Sequence, residues 1–242
     1  GEATKTIPYV TNANKSYSFC IKMGAATNTD DADGEVIATS TKRPTDTEII
    51  EKLKTFQGET MQVPPKFSAV QIDGDRAYKL ARAGEEVKVS ARPLLVSKLI
   101  LIERPSVDTA ILEMTCGKGG YVRAIARDLG DALGCYAHVL NLRRVWAGPF
   151  NLKSCITLKT IESFAKTLEI DQFLLPLEEG LTDLPKGTTN AEGAAKLRNG
   201  NSAVCFANAD YGDEIWASYD GKAQAIGHFK SGEIHPKRVI IQ

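Results

Sequence analysis

The stretch CGKGGYVRAIARDLGDALG, residues 116–134, decides how this chain is built. An alternating segment, Asp108 to Cys116, leads into it, with Ala110, Leu112, Met114 and Cys116 on one face. A glycine-rich turn follows. Val122, Ile125, Ala126, Leu129, Ala132 and Leu133 then recur at helical spacing until Gly134 stops the helix. The turn carries one aromatic ring, Tyr121, and one guanidinium, Arg123, to the mouth of a sheet. A ring flanked by glycines has room to face a flat base, and a guanidinium can grip a carboxylate or a phosphate with two hydrogen bonds. A cation in the first helical turn opposes the macrodipole, so Arg123 calls for a partner outside its own helix.

Working outward, Lys15 to Met23 alternates, with Tyr17, Phe19, Ile21 and Met23 on one face, and reads as a half-buried strand. On that pattern alone Tyr17 is a core residue. An acidic loop, Thr27 to Asp33, turns at Asp33-Gly34, and Glu35 to Thr39 returns as a short strand. Thr45 with Glu48 forms a capping box ahead of a helix that buries Ile49, Ile50, Leu53 and Phe56 and closes at Gly58. Glu59 to Ser90 differs in character. It holds Pro64-Pro65, a hairpin turn at Asp73-Gly74 and a short helix from Arg76 to Ala83. Pattern leaves two readings of it open, a mobile flap with its own local fold and a plain surface excursion. Leu94 to Ile102 is a further strand.

From Asp183 onward short apolar strands at Ser202–Phe206, Glu214–Ser218, Ala223–Phe229 and Val239–Ile241 alternate with turns at Asp220-Gly221 and Ser231-Gly232. Such a run suggests a small β-barrel. The expected class is α+β: a mixed, mostly antiparallel sheet flanked by helices, with a C-terminal barrel.

Composition narrows the functional classes. The 242 residues carry no net charge, with 30 basic against 30 acidic side chains, so a nucleic-acid binder of this kind relies on local basic patches. No run of 18 apolar residues is present, so no membrane partner is expected. Five scattered cysteines lack CxxC spacing, which argues against zinc and disulfides and fits a reducing, cytoplasmic setting. Gly117-Lys118-Gly119-Gly120 lacks the spacing of a triphosphate loop. The three histidines lie far apart and read as structural, and Arg143-Arg144 either lines a phosphate groove or faces solvent.

Three stretches in order, residues 15–34 (KSYSFCIKMGAATNTDDADG), 62–84 (QVPPKFSAVQIDGDRAYKLARAG) and 116–144, together resemble the bacterial tRNA pseudouridine synthases of the TruB type. The resemblance implies a pseudouridine synthase domain over 1–178 with a thumb insertion at about 59–90, and a PUA-like RNA-binding domain over 179–242. It also implies isomerisation of the T-loop uridine of tRNA after the base is flipped out, without metal or cofactor. In that family a Tyr stacks on the uracil, matching Tyr17, and an Arg pairs with the catalytic Asp, matching Arg123. Tyr121 then lines the pocket and Leu142 packs near the flipped base. Lys118, Arg143 and Arg144, with Lys66 and Ser68 of the insertion, meet the tRNA.

Two departures accompany the resemblance. The family's aspartate belongs to a Leu-Asp-Pro type motif just ahead of a stretch like Gly1-Glu2-Ala3-Thr4-Lys5, and no such motif occurs in these residues. The acids of Thr29 to Asp33 belong to a later loop and are not substitutes. Arg123 is therefore expected to lack its partner, the nucleophile to reside in a separate N-terminal fragment, and this chain alone to be inactive. Gln71 also stands where the family often has Lys after the Ser-Ala-x triplet. The rival reading is a non-catalytic tRNA-binding protein or RNA-folding chaperone. A metabolic enzyme that binds a small phosphate at the glycine turn is more remote.

Overall fold

The computed structural model describes every residue except Glu86, Lys166 and Gln242. The chain forms two compact units, residues 14–146, and residues 1–13 together with 147–242. A short helix, α1 (Ile7–Asn12), opens the second of these. The first contains β1 (Lys15–Met23), β2 (Ala25–Thr27), β3 (Val36–Thr39), α2 (Asp46–Lys54), β4 (Gly58–Gln62), β5 (Gln71–Ile72), β6 (Asp75–Arg76), α3 (Ala77–Arg82), β7 (Arg92–Ser106), β8 (Thr109–Cys116), α4 (Val122–Leu133) and β9 (Ala137–Ala147). Its sheet runs β9-β1-β8-β7-β4. β1, β8, β7 and β4 pair antiparallel in succession.

The alternation of β8 translates into burial without exception: Ala110, Leu112, Met114 and Cys116 are covered, and the residues between them are half-exposed. Phe19, Ile21 and Met23 of β1 join them against Ile125 and Leu129 of α4 and Ile49 and Leu53 of α2. Removing a fully buried leucine forfeits transfer free energy and leaves a cavity. Leu112→Ala should therefore destabilise this unit by about 2–5 kcal/mol, measured by urea unfolding. A loss below ~1 kcal/mol would contradict this account of the core.

The Thr45 capping box is formed, with the Glu48 N–H donating to the Thr45 hydroxyl and Glu48 accepting from the Thr45 N–H. Gly134 ends α4 in the left-handed region at φ +68°. Gly130 is demanded by packing, because a Cβ there would meet the Ala137 nitrogen at 2.2 Å.

Several expectations need correction. Ser16 and Cys20, on the second face of β1, are buried as well, whereas Lys22 on that face is exposed. Ile50 faces outward, and α2 ends at Thr55, with Gly58 opening β4 instead of capping the helix. β7 runs well past Ile102, to Ser106.

The insertion resolves in favour of a local fold. Asp73 and Gly74 form a left-handed turn (φ +49° and +96°) between β5 and β6. Val70, Ala77 and Val87 make a miniature core against which Tyr121 packs. Gln62 and Arg92 are register partners where the insertion leaves and rejoins the sheet.

The second unit holds β10 (Phe150–Asn151), α5 (Leu158–Phe164), β11 (Lys186–Thr188), α6 (Ala191–Arg198), β12 (Ala203–Val204), β13 (Phe206–Ala207), β14 (Glu214–Tyr219), β15 (Lys222–Lys230) and β16 (Glu233–Val239). The last strand thus starts at Glu233, before the expected Val239, and α6 was not foreseen. Its sheet order is β12-β16-β15-β14-β11-β13. The two edge strands, β12 and β13, are separated along the chain by Cys205 alone, so the sheet curls into a nearly closed barrel. Residues 1–13 pack within this unit. The Tyr9 hydroxyl donates to Glu214 at 2.8 Å, and burial followed by that bond pushes the phenol up to about 12. The Lys5 ammonium donates to the Val239 carbonyl at 2.7 Å.

Of the five cysteines only Cys155 is exposed. Burial pushes the Cys116 and Cys205 thiols up to about 11, and Cys20 and Cys135 shift the same way. The stability that these raised folded values contribute is fully present below the ordinary thiol value and, for Cys116 and Cys205, is lost as pH rises from there through about 11. One thiol should react quickly with a disulfide reagent at about pH 8, and the remainder only after denaturation. Two or more fast thiols would contradict the buried placement. Among the described residues no helix is long and apolar enough to cross a membrane.

Candidate active site

β8 delivers the chain to the glycine turn, and Gly119 at φ +89° lets it reverse into α4. Tyr121 is the N-cap of α4 and Arg123 lies in its first turn. The Arg123 side chain is three-quarters buried, and both terminal nitrogens of its guanidinium are engaged. Nη1 donates to Asp31 Oδ2 and to the Thr29 carbonyl, both at 3.0 Å, and Nη2 donates to the Phe67 carbonyl at 2.9 Å. Within the chain the acidic loop supplies Arg123 with an ion-pair partner, Asp31, which the sequence reading did not assign to it. The loop reaches Arg123 because Asp31 bridges to Val139 of β9, one strand beyond β1.

Asp31 is itself held. Oδ1 accepts from the Thr29 hydroxyl at 2.5 Å and from the Asp33 N–H at 3.2 Å, so its lone pairs are committed. That suits a positioning group better than an attacking one. One helical turn on, Arg127 repeats the pattern. It donates to Asp30 at 3.0 Å, to Asp128 at 2.8 Å and to the Val63 carbonyl at 2.8 Å. Burial raises the Asp30 carboxyl above its ordinary value and Arg127 pulls it back. Two arginines four residues apart on one helix face thus tie the acidic loop to the root of the insertion.

Arg123, Tyr121, Ser68 and Asp31 line one open cavity of about 520 Å³, together with Phe67 and Tyr78. The Ser68 hydroxyl is buried and, among the described residues, has no hydrogen-bond partner. Lys118 and Tyr121 border a second cavity with Arg92. Lys66 borders a third, beside Asp30 and Arg127. Tyr17 does not line the Arg123 cavity. It sits on β1 opposite Met114, two residues from the end of β8 that feeds the glycine turn. Burial raises its phenol, and Arg144 lowers it in part through a hydrogen bond. Leu142, Arg143 and Arg144 lie exposed on β9, the strand beside β1. Burial, then the nearby Arg144 and Lys118, press the Lys15 ammonium below its usual range, so cations gather at this end of the sheet.

Family models place residues 1–122 as the N-terminal domain of TruB family pseudouridylate synthases and residues 123–182 as a tRNA pseudouridylate synthase B C-terminal domain. The chain belongs to the TruB pseudouridylate synthase family. It is 61% identical to the tRNA pseudouridine synthase B of Ruegeria sp. (strain TM1040), an alignment that takes in 100% of this chain and 80% of the relative. The Agrobacterium fabrum protein of that name is 42% identical over 99% of this chain and 79% of its own length. These TruB relatives align along the whole chain and lend no support of their own to a separate N-terminal fragment. A Cbf5 protein solved in a Cbf5–Nop10–Gar1 complex shares the fold at a TM-score of 0.70, with 20% identity over 99% of this chain and 70% of that one. A chain of an H/ACA ribonucleoprotein solved with a substrate RNA containing 2′-deoxyuridine superposes at 0.71 and 18% identity, over 100% of this chain and 70% of the other.

The sequence reading missed Asp31, Asp30, Arg127 and Gln62. The signal for Arg127 is its spacing from Arg123 on one helix face, and the Asp30-Asp31 pair stands in the acidic loop with no periodic pattern to mark it.

Proposed function

We propose that this protein converts the T-loop uridine of tRNA to pseudouridine in the cytoplasm. The observation that carries the reading is Arg123, held over a cavity by Asp31 and two backbone carbonyls, in a chain of the TruB family. The target base leaves its stack and settles against the Tyr17 ring, a contact worth about 1–3 kcal/mol. Leu142 packs beside it. Lys118, Arg143 and Arg144, with Lys66 and Ser68, meet the T arm, and the insertion at 59–90 closes over it as a thumb.

The attacking carboxylate is an aspartate outside these 242 residues, and Arg123 keeps it ionised when water is excluded. The bond between the uracil N1 and the ribose C1′ breaks, the uracil turns, and a bond forms from C5 to C1′. The C5 proton is lost and N1 gains one, so the reaction is a net isomerisation. The functional domains on this reading are 1–178 for catalysis and 179–242, PUA-like, for RNA.

A position-resolved pseudouridine map of an unmodified tRNA transcript tests the proposal, using the protein together with whatever residues its gene encodes ahead of Gly1. One new pseudouridine in the T loop is expected, and none when that uridine is changed to cytidine. Tight tRNA binding without any pseudouridine would favour a chaperone instead.

A further inference from the structure

Gln62 is the last residue of β4, is only 4% exposed, and sits where the insertion leaves the sheet. Its amide is spent on a single residue. The Tyr121 N–H donates to Gln62 Oε1 at 2.9 Å, and Gln62 Nε2 donates to the Tyr121 carbonyl at 3.2 Å. Tyr121 begins α4 without a side-chain cap, and the residues before it, Gly119 and Gly120, carry no side chain to fix the approach. Its carbonyl also accepts the first bond of the helix, from the Ile125 N–H at 3.2 Å. The backbone N–H and carbonyl of Tyr121, two residues before Arg123, are thus both held by this one amide.

We propose that Gln62 is a positioning residue for the isomerisation: it locks the Tyr121 peptide, and through it the Arg123 guanidinium, in the reactive arrangement. The inference rests on the proposed function. A 1 Å displacement of a group at a reacting centre is enough to lower a rate by about a hundredfold. Asn is one methylene too short to span both bonds. Met fills the volume and makes neither. Glu keeps the acceptor but sets a carboxylate against the Tyr121 carbonyl, and regains the donor only when protonated.

The experiment measures kcat, KM, tRNA affinity and melting temperature for Gln62→Met and Gln62→Glu in the complete polypeptide. For Gln62→Met, kcat should fall about ten- to a hundredfold. KM and affinity should stay within about threefold, and melting within about 3 °C. For Gln62→Glu, the rate relative to the parent should climb as pH is lowered from about 8 to about 5.5, as the carboxyl, raised above its ordinary value by burial at this 4% exposed position, takes up its proton. An unchanged kcat in Gln62→Met overturns the proposal. So does a loss that only tracks a smaller folded fraction, or a Gln62→Glu deficit that ignores pH. If the parent itself makes no pseudouridine, the functional reading fails and takes this inference with it. An active parent with indifferent variants sinks the Gln62 role alone.

Discussion

Changing Arg123 to alanine should lower pseudouridine formation by at least about a hundredfold, while tRNA affinity stays within about tenfold. The reasoning is geometric. Arg123 is fixed on three sides by Asp31, Thr29 and Phe67, so its charge is aimed before substrate arrives. Groups preorganised in this way stabilise charge at the moment of reaction, whereas affinity is spread over many phosphate contacts. Lys is no replacement, because a point charge on a flexible stem cannot hold two carbonyls and a carboxylate at once. Arg123→Lys should therefore behave nearly as the alanine variant does. Single-turnover rates measured beside filter-binding affinities decide the matter. An affinity collapse equal to the rate loss would make Arg123 an RNA anchor instead.

The second large effect is expected at Asp31. Asp31→Ala removes the carboxylate that orients Arg123 and also the acceptor of the Thr29 hydroxyl and the Asp33 N–H. Asp31→Asn keeps that local acceptor and sets an amide nitrogen, which carries no charge and cannot accept a hydrogen bond, against Arg123. Both should slow the reaction by about ten- to a hundredfold, and the alanine variant should also loosen the 29–33 loop. Both side chains are about a quarter exposed, so solvent screens the pair and little of its value is global stability. Urea midpoints close to the parent, with slow turnover, are the expected pattern. Asparagine at full rate would show that Arg123 needs no acid from this loop.

How far the sequence reaches is instructive at particular residues. β8 and α4 were legible because burial there follows a single period, 2 in the strand and 3.6 in the helix. The Thr45 cap and the turn at Asp73-Gly74 were legible because local chemistry alone dictates them. Ser16 and Cys20 were misread because the second face of β1 is covered in part, at these two residues and not at Lys22, which alternation cannot reveal. The last strand was placed too late because Pro236 and Arg238, on the face that Ile234 begins, break the apolar half of the alternation. At the site, Arg123 and Tyr121 stood out through the glycine turn. Asp31 and Gln62 did not, since their roles arise from contacts to residues 92 and 59 positions away. Long-range polar contacts leave no periodic trace.

The most direct measurement is a structure of the complete polypeptide bound to a T-arm hairpin. One uridine should be found out of its stack, flat against the Tyr17 ring, with the Arg123 guanidinium reaching a carboxylate beside its ribose. A uridine still stacked in the loop, or lodged away from both Tyr17 and Arg123, would contradict the account.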